Sequence, residues 1–190
     1  MMFRVLFFVL LSNLFVLSPS YGQTYAPRVE VITNIGSFTL QLDRLRAPLS
    51  VENFLGYVEQ GFYENIIFHR VVHSFVVQAG ISSPTFEMKD PLNMVSNESG
   101  NGLSNVRGSI GVARTQDPHS GNAQFYINIS DNLSLNPTAT RWGYAVFGEV
   151  ISGMEVVDQI GERQTSSGGP FPSDVPNDPV IILQARIINN

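Results

Sequence analysis

The 190-residue sequence contains no cysteine. That excludes disulfide staples, thiol nucleophiles and thiolate metal sites, so the fold must be held by packing. Lysine is nearly absent too. The 11 basic residues are almost all arginine and lie singly along the chain, against 16 acidic residues, giving a formal net charge of −5. No basic stripe forms, so nucleic acid is not an expected partner. The 3 histidines, His69, His73 and His119, have no carboxylates at ligand spacing, and no metal site is expected. Beyond the first twenty or so residues no apolar run is long enough to cross a bilayer. The chain shows no internal repeat and no charged linker.

What is there begins with MMFRVLFFVLLSNLFVLSPSYGQ. Arg4 precedes an apolar run from Val5 to Leu17, interrupted by Ser12 and Asn13. Pro19 ends any helix, and Ser20-Tyr21-Gly22 supplies small residues at a cleavage position. This is the layout of a secretory signal peptide over residues 1–22, cleaved near Gly22. The run is too short and too polar at its middle for a membrane anchor, since spanning takes about 20 apolar residues. The mature chain is expected to be periplasmic or secreted, free of the membrane, monomeric, and folded as one domain over residues 28–189.

Residues 29–43, VEVITNIGSFTLQLD, alternate apolar and polar around a Gly-bearing turn, which predicts a hairpin. Pro48 opens a helix whose buried face is Val51, Phe54, Leu55 and Val58, and Gly61 stops it. Strands are expected around Ile66–Val71, Phe75–Gln78, Gly108–Arg114, Ala123–Ile129 and Tyr144–Val150. A second helix spans Gly153–Ile160, followed by a loop over Gln164–Asp178 and a last apolar strand, PVIILQARII. Residues 81–106, rich in Ser, Asn, Gly and Pro, read as a long surface excursion of the kind that carries function. About eight short strands and two helices, without βαβ alternation, predict an antiparallel barrel or sandwich.

Three segments carry the chemistry. The first is FHRVVHSFVVQAG over residues 68–80. The second is GSIGVAR over 108–114 followed by SGNAQFYIN over 120–128, and the third is GYAVFGEV over 143–150. An arginine at position 70 amid so much apolar sequence is costly unless it lines a site or snorkels from an edge strand. In this order and spacing the segments resemble a cyclophilin, in particular the exported bacterial branch, and the resemblance covers the chain from opening hairpin to last strand. It implies a mainly β fold, a closed eight-stranded antiparallel barrel capped by two α-helices, with a substrate groove on its outside. It also implies Arg70 as the catalytic guanidinium, with Gln78 orienting it. The groove would be formed by Phe75, Val76, Ala113, Arg114, Gln124, Tyr126, Leu135 and Tyr144. Its partners would be proline-containing polypeptides, and neither cofactor nor metal would be required.

The reaction suits these residues. Rotating an X-Pro bond breaks amide resonance over a barrier of roughly 18–20 kcal/mol. In the twisted state the proline nitrogen pyramidalises and gains a lone pair. A fixed donor such as Arg70 can bond that lone pair, which the planar ground state does not offer. An apolar slot from Phe75, Tyr126 and Leu135 would hold the proline ring, and backbone near Arg114 would pair with the peptide.

The sequence departs from the family at His73-Ser74, usually Pro-Gly, at Val76, commonly Met, and at Ser134, usually Trp or Phe. The loss at position 134 implies weak cyclosporin binding. These changes keep open a second expectation, a proline-peptide-binding module or chaperone with weak turnover. Asp117, His119 and Ser120 read as a surface turn rather than a hydrolase site, and His69 as a satisfied core or edge histidine.

Overall fold

The alternation over residues 29–43 becomes a hairpin, β1 (Arg28–Thr33) and β2 (Gly36–Leu42), in the computed structural model, which describes residues 26–188. The segment read as a signal peptide lies outside the described residues. Val29 and Val31 of β1, with Phe38, Leu40 and Leu42 of β2, point inward and are buried. Thr33 shapes the turn: its hydroxyl donates to the Gly36 carbonyl at 2.7 Å and accepts from the Ile35 N–H at 3.2 Å.

Helix α1 (Pro48–Glu59) starts on its proline, as expected, with Ala47 at its N-cap and no side-chain cap of its own. The excursion loop supplies one. The Glu98 carboxylate accepts the Leu49 and Ser50 N–H groups at 3.0 and 2.8 Å and the Ser50 hydroxyl at 2.6 Å. An acid there satisfies orphan donors and meets the positive end of the helix dipole. At the other end Gly61 takes a left-handed φ of 63°. The Phe62 N–H then reaches the Tyr57 carbonyl and the Gly61 N–H that of Val58, a Schellman closure open to glycine at little cost. The buried face of α1 centres on Phe54, whose ring lies 5.2, 5.5 and 5.4 Å from Tyr63, Phe125 and Phe147. A buried aromatic in such a setting stabilises by about 3–5 kcal/mol relative to alanine.

The remaining elements are β3 (Ile66–Ile67), β4 (Arg70–Val72), β5 (Val76–Ala79), β6 (Ser109–Val112), β7 (Phe125–Asn128), β8 (Val146–Ser152), α2 (Met154–Gly161), β9 (Thr165–Gly168), β10 (Phe171–Pro176) and β11 (Ile181–Ile188). Nine of the eleven strands, β1–β8 and β11, form one curled antiparallel sheet in the order β3-β11-β1-β2-β8-β6-β7-β5-β4. Helix α2 buries Val156, Val157 and Ile160, the face expected for it.

Two expectations are corrected. The sheet is an open half-barrel of nine strands rather than a closed barrel of eight, because no ladder joins its edge strands β3 and β4. The chain itself spans that gap. Ile66–Ile67 pairs with β11, the Phe68 N–H reaches the Val180 carbonyl, and by Arg70 the backbone pairs with β5 instead. What reads as one strand over Ile66–Val71 is thus two strands on opposite edges. Second, the expected loop Gln164–Asp178 contains a hairpin, β9 against β10, with a register shift between Phe171 and Val175.

Candidate active site

Register sets the site. Arg70 on β4 pairs with Gln78 on β5, Gln78 pairs with Tyr126 on β7, and Tyr126 pairs with Gly111 on β6. Directly paired residues share a face, so these four form one row across the outside of the sheet. Their sequence neighbours Val71, Val77, Ile127 and Ile110 face the other way and are buried in the core. The sheet thus separates a general core from a chemical surface, one residue apart along each strand.

Gly111 makes room in that row. A Cβ there would collide with the Tyr126 hydroxyl and the end of its ring, so only glycine lets the phenol pass this close to the β6 backbone. Around it Val76, Ala113 and Tyr126 form an apolar cluster separate from the main core, flanked by Phe75, Leu135 and Tyr144. Leu135 comes from a short 3-10 turn, Leu133–Leu135, and its carbonyl accepts the Tyr144 N–H at 2.9 Å. The cluster walls a cavity of about 330 Å³, with Arg70 and Gln78 at one side and Arg114 at the other. All the sequence-predicted site residues line it except Gln124. That volume suits a small, largely apolar group fixed by a few polar contacts.

Arg70 Nη1 donates to Gln78 Oε1 at 3.3 Å, and Gln78 Nε2 donates to Gln124 Oε1 at 3.1 Å. Gln124 therefore stands behind Gln78 rather than in the cavity, and orients the amide that meets the guanidinium. Asp174 on β10 places its Oδ2 3.8 Å from Arg70 Nε. Arg114 is committed to the wall. Its Nε, Nη2 and Nη1 donate to the carbonyls of Gly143, Trp142 and Thr115 at 3.2, 3.0 and 2.8 Å, and its guanidinium lies 4.3 Å from the Tyr144 ring centre, a cation–π contact.

Under the cavity floor lies a buried amide network that sequence reasoning missed. Asn105, fully buried, accepts the Tyr126 hydroxyl at 2.6 Å and Asn128 Nδ2 at 3.2 Å. Its own Nδ2 donates to Asn136 Oδ1 at 3.0 Å and to the Tyr144 carbonyl at 3.3 Å. Asn132 bridges the Phe75 carbonyl and Asn128 Oδ1 at 2.8 and 2.7 Å. These bonds tie the walls carrying Phe75, Leu135, Tyr126 and Tyr144 into one unit. A clustering of asparagines across 105–136 is the only sequence signal, and asparagine looks the same in any exposed loop. Burial, with Tyr144 beside it, raises the Tyr126 phenol well above its usual range, so the hydroxyl acts only as a neutral donor.

His69 is buried and stacks on Phe171, ring centres 5.0 Å apart. The expectation of a satisfied histidine fails at Nδ1, which has no hydrogen-bond partner. Burial, reinforced by the Arg70 charge, lowers its pKa to about 4, partly countered by the Ile67 backbone and Gln124. The ring is neutral at physiological pH. Asp117, His119 and Ser120 form an exposed turn: the His119 N–H bonds Asp117 Oδ1 at 2.9 Å, and Ser120 Oγ bonds the Asp117 carbonyl at 2.8 Å. Ser134, next in sequence to the lining residue Leu135, is exposed, and its carbonyl accepts Arg141 Nη2 at 2.7 Å.

The sequence model described as cyclophilin type peptidyl-prolyl cis-trans isomerase/CLD matches residues 28–187. The chain is 44% identical over 171 residues to peptidyl-prolyl cis-trans isomerase A of Dickeya dadantii (strain 3937), covering 90% of each chain. It is 45% identical over 158 residues to peptidyl-prolyl cis-trans isomerase B of Escherichia coli (strain K12), covering 82% of this chain and 96% of the relative. Among solved structures it resembles a cyclophilin type peptidyl-prolyl cis-trans isomerase of Cryptosporidium parvum crystallised in the presence of the dipeptide Ala-Pro. There the TM-score is 0.74 at 28% identity, covering 86% of this chain and 99% of that one.

Proposed function

The chain belongs to the cyclophilin-type peptidyl-prolyl cis-trans isomerase family, and we propose that its isomerase centre is the cavity bounded by Arg70, Gln78 and the Phe75–Tyr126–Leu135 slot. The observation that carries this reading is the placement of one guanidinium, held against Gln78 at 3.3 Å, beside the apolar Phe75–Tyr126–Leu135 wall of a cavity large enough to admit a proline ring and its flanking backbone. The Ala-Pro dipeptide named with the similar Cryptosporidium structure supports proline peptides as the ligand class.

The mechanism follows from charge development. In the planar amide the proline nitrogen has no available lone pair; as the bond twists, the nitrogen pyramidalises and one appears. The proline ring sits in the slot, where burying a ring of that size is favourable at about 25 cal/mol per Å² of apolar surface. Arg70 then donates to the nitrogen in the twisted state only. A contact made only in the transition state lowers the barrier rather than merely the Michaelis constant. Gln78, itself fixed by Gln124, keeps Arg70 from straying. No covalent intermediate forms and no proton is transferred.

Replacing Arg70 by alanine should lower kcat/KM on an Ala-Pro peptide by about 10²–10³-fold, the range for loss of one preorganised donor. An unchanged rate would sink the assignment. Val76 and Ser134 both replace larger side chains of the family pattern, so affinity for the same Ala-Pro peptide should be measured beside its turnover. Tight peptide binding without rate enhancement would favour the second reading, a proline-peptide-binding module.

The clients in this reading are exported proteins with slow X-Pro steps, in the periplasm or outside the cell. The support is the leading segment, Arg4, the apolar run to Leu17 and Ser20-Tyr21-Gly22. N-terminal sequencing of the protein purified from a cell-envelope fraction should begin at Gln23, within a residue or two. A protein retaining Met1 in the cytoplasm would overturn the export claim.

A further inference from the structure

The β9–β10 hairpin is fastened beside the site by rings rather than by a ladder. Phe171 stacks on His69 at 5.0 Å and meets Phe86 at 6.4 Å, while Val175 is buried. Between those two anchors the register shifts, and Asp174 adopts a left-handed φ of 66°. That bulge turns the carboxylate toward the sheet, where Oδ2 comes within 3.8 Å of Arg70 Nε. On another side of the guanidinium, Nη1 donates to Gln78 Oε1 at 3.3 Å.

We propose that Asp174 is a positioning residue for Arg70, so that the hairpin and β5 together hold the guanidinium in its working orientation. The inference rests on the reading of Arg70 as the donor to the proline nitrogen. A guanidinium has five N–H donors in a fixed plane. The Asp174 charge facing Nε and the hydrogen bond at one Nη together orient that plane and leave donors for the substrate. The Arg70 side chain is 39% exposed, so without tethers it would sample several rotamers and lose that freedom in each turnover. An ion pair from β10 and a hydrogen bond from β5 bias it beforehand, which is how positioning lowers a barrier. Because the pair is exposed on both sides, it contributes little to stability. The hairpin's aromatic anchors hold it whether or not the pair forms.

The left-handed φ dictates the variants. Asparagine and glycine both accept that conformation, whereas alanine would add backbone strain. Asp174→Asn and Asp174→Gly are therefore compared with the native protein on an uncharged Ala-Pro peptide and on one carrying lysine beside the proline. The expected result is a roughly three- to tenfold loss of kcat on both peptides with KM unchanged. The urea midpoint should stay constant, and in nitrogen-15 NMR the Arg70 Nε–H resonance should shift and lose order. In an Arg70→Ala background, Asp174→Asn should change kcat no further. An unchanged kcat in both variants overturns the proposal. So does a defect confined to KM for the lysine peptide, which would make Asp174 a recognition carboxylate. The two claims can fail separately: a fully active Arg70→Ala enzyme removes the catalytic reading, whereas an Arg70 Nε–H resonance indifferent to Asp174→Asn removes the ion pair itself.

Discussion

Tyr126 donates its hydroxyl to Asn105 Oδ1 across 2.6 Å, so the floor of the cavity beside Arg70 is pinned to a loop 21 residues earlier in the chain. The two ends of this bond are not equivalent. Removing the hydroxyl in Tyr126→Phe leaves Asn105 still bonded to Asn128 at 3.2 Å. The expected cost is about 1 kcal/mol, the worth of one ordinary hydrogen bond, with isomerase activity retained. Asn105→Ala instead orphans the buried Tyr126 hydroxyl and leaves Asn128 without one of its acceptors, at a cost of about 3 kcal/mol or more. Urea unfolding of the two variants checks the asymmetry.

His69 makes the fold sensitive to acid. Its pKa is lowered from 6.5 to about 4 in the folded protein. Between those values the unfolded chain binds more protons than the folded one, so stability rises with pH across that window. The His69 contribution is neutral above about pH 6.5 and becomes a penalty as pH falls toward 4, reaching about 3 kcal/mol. Chemical denaturation at pH 7 and pH 4.5 should show this loss. It should shrink in His69→Gln, which cannot take up a proton.

Ser74 occupies the wrong conformation for a side chain. Its φ is 55°, in a turn closed by the Phe75 N–H on the Val72 carbonyl at 3.0 Å. A left-handed φ at the third turn position favours glycine. Ser74→Gly should raise stability by up to about 1 kcal/mol, the left-handed strain being partly offset by the added freedom of the unfolded chain. Thermal unfolding would record the gain, and activity should stay constant, because the Ser74 carbonyl can still accept from Ser130 Oγ.

Cyclosporin binding should be weak because Ser134, exposed beside the lining residue Leu135, is a small polar group where the family pattern has an aromatic. Ser134→Trp should strengthen binding by about 1–3 kcal/mol, roughly 5- to 150-fold. Turnover of short proline peptides should change less. Calorimetric titration of both proteins with the drug decides it.

Most of this architecture can be read along the chain because its signals are local. Alternation around Asn34–Ser37, Pro48 before a helical apolar stripe, and Gly61 after it each act within a few residues. The row Arg70–Gln78–Tyr126–Gly111 is not readable as a row, since register joins strands distant in sequence; the family resemblance names Arg70, Gln78 and Tyr126 but not Gly111, whose part shows only once Tyr126 is laid across it. Three features left no local trace. The β9–β10 hairpin has mostly exposed residues without clean alternation, and it is held by Phe171 against His69. The break between β3 and β4 depends on which strands happen to flank each edge. Asn105 is an ordinary polar letter in a polar loop until Tyr126, Asn128 and Asn136 arrive from elsewhere.

The open seam of the sheet places Arg70 on a strand of three residues whose single hydrogen-bonded neighbour is β5. A rung held by one ladder needs a brace from elsewhere, and the β9–β10 hairpin that brings Asp174 to Arg70 also packs against β4. Tyr126 and Gln78 stand on inner strands with ladders on both sides and need no such brace. The steadiness of the strand that carries Arg70 is thus lent by a segment about a hundred residues further along the chain, so loosening the hairpin should disturb the guanidinium before it disturbs the rest of the sheet.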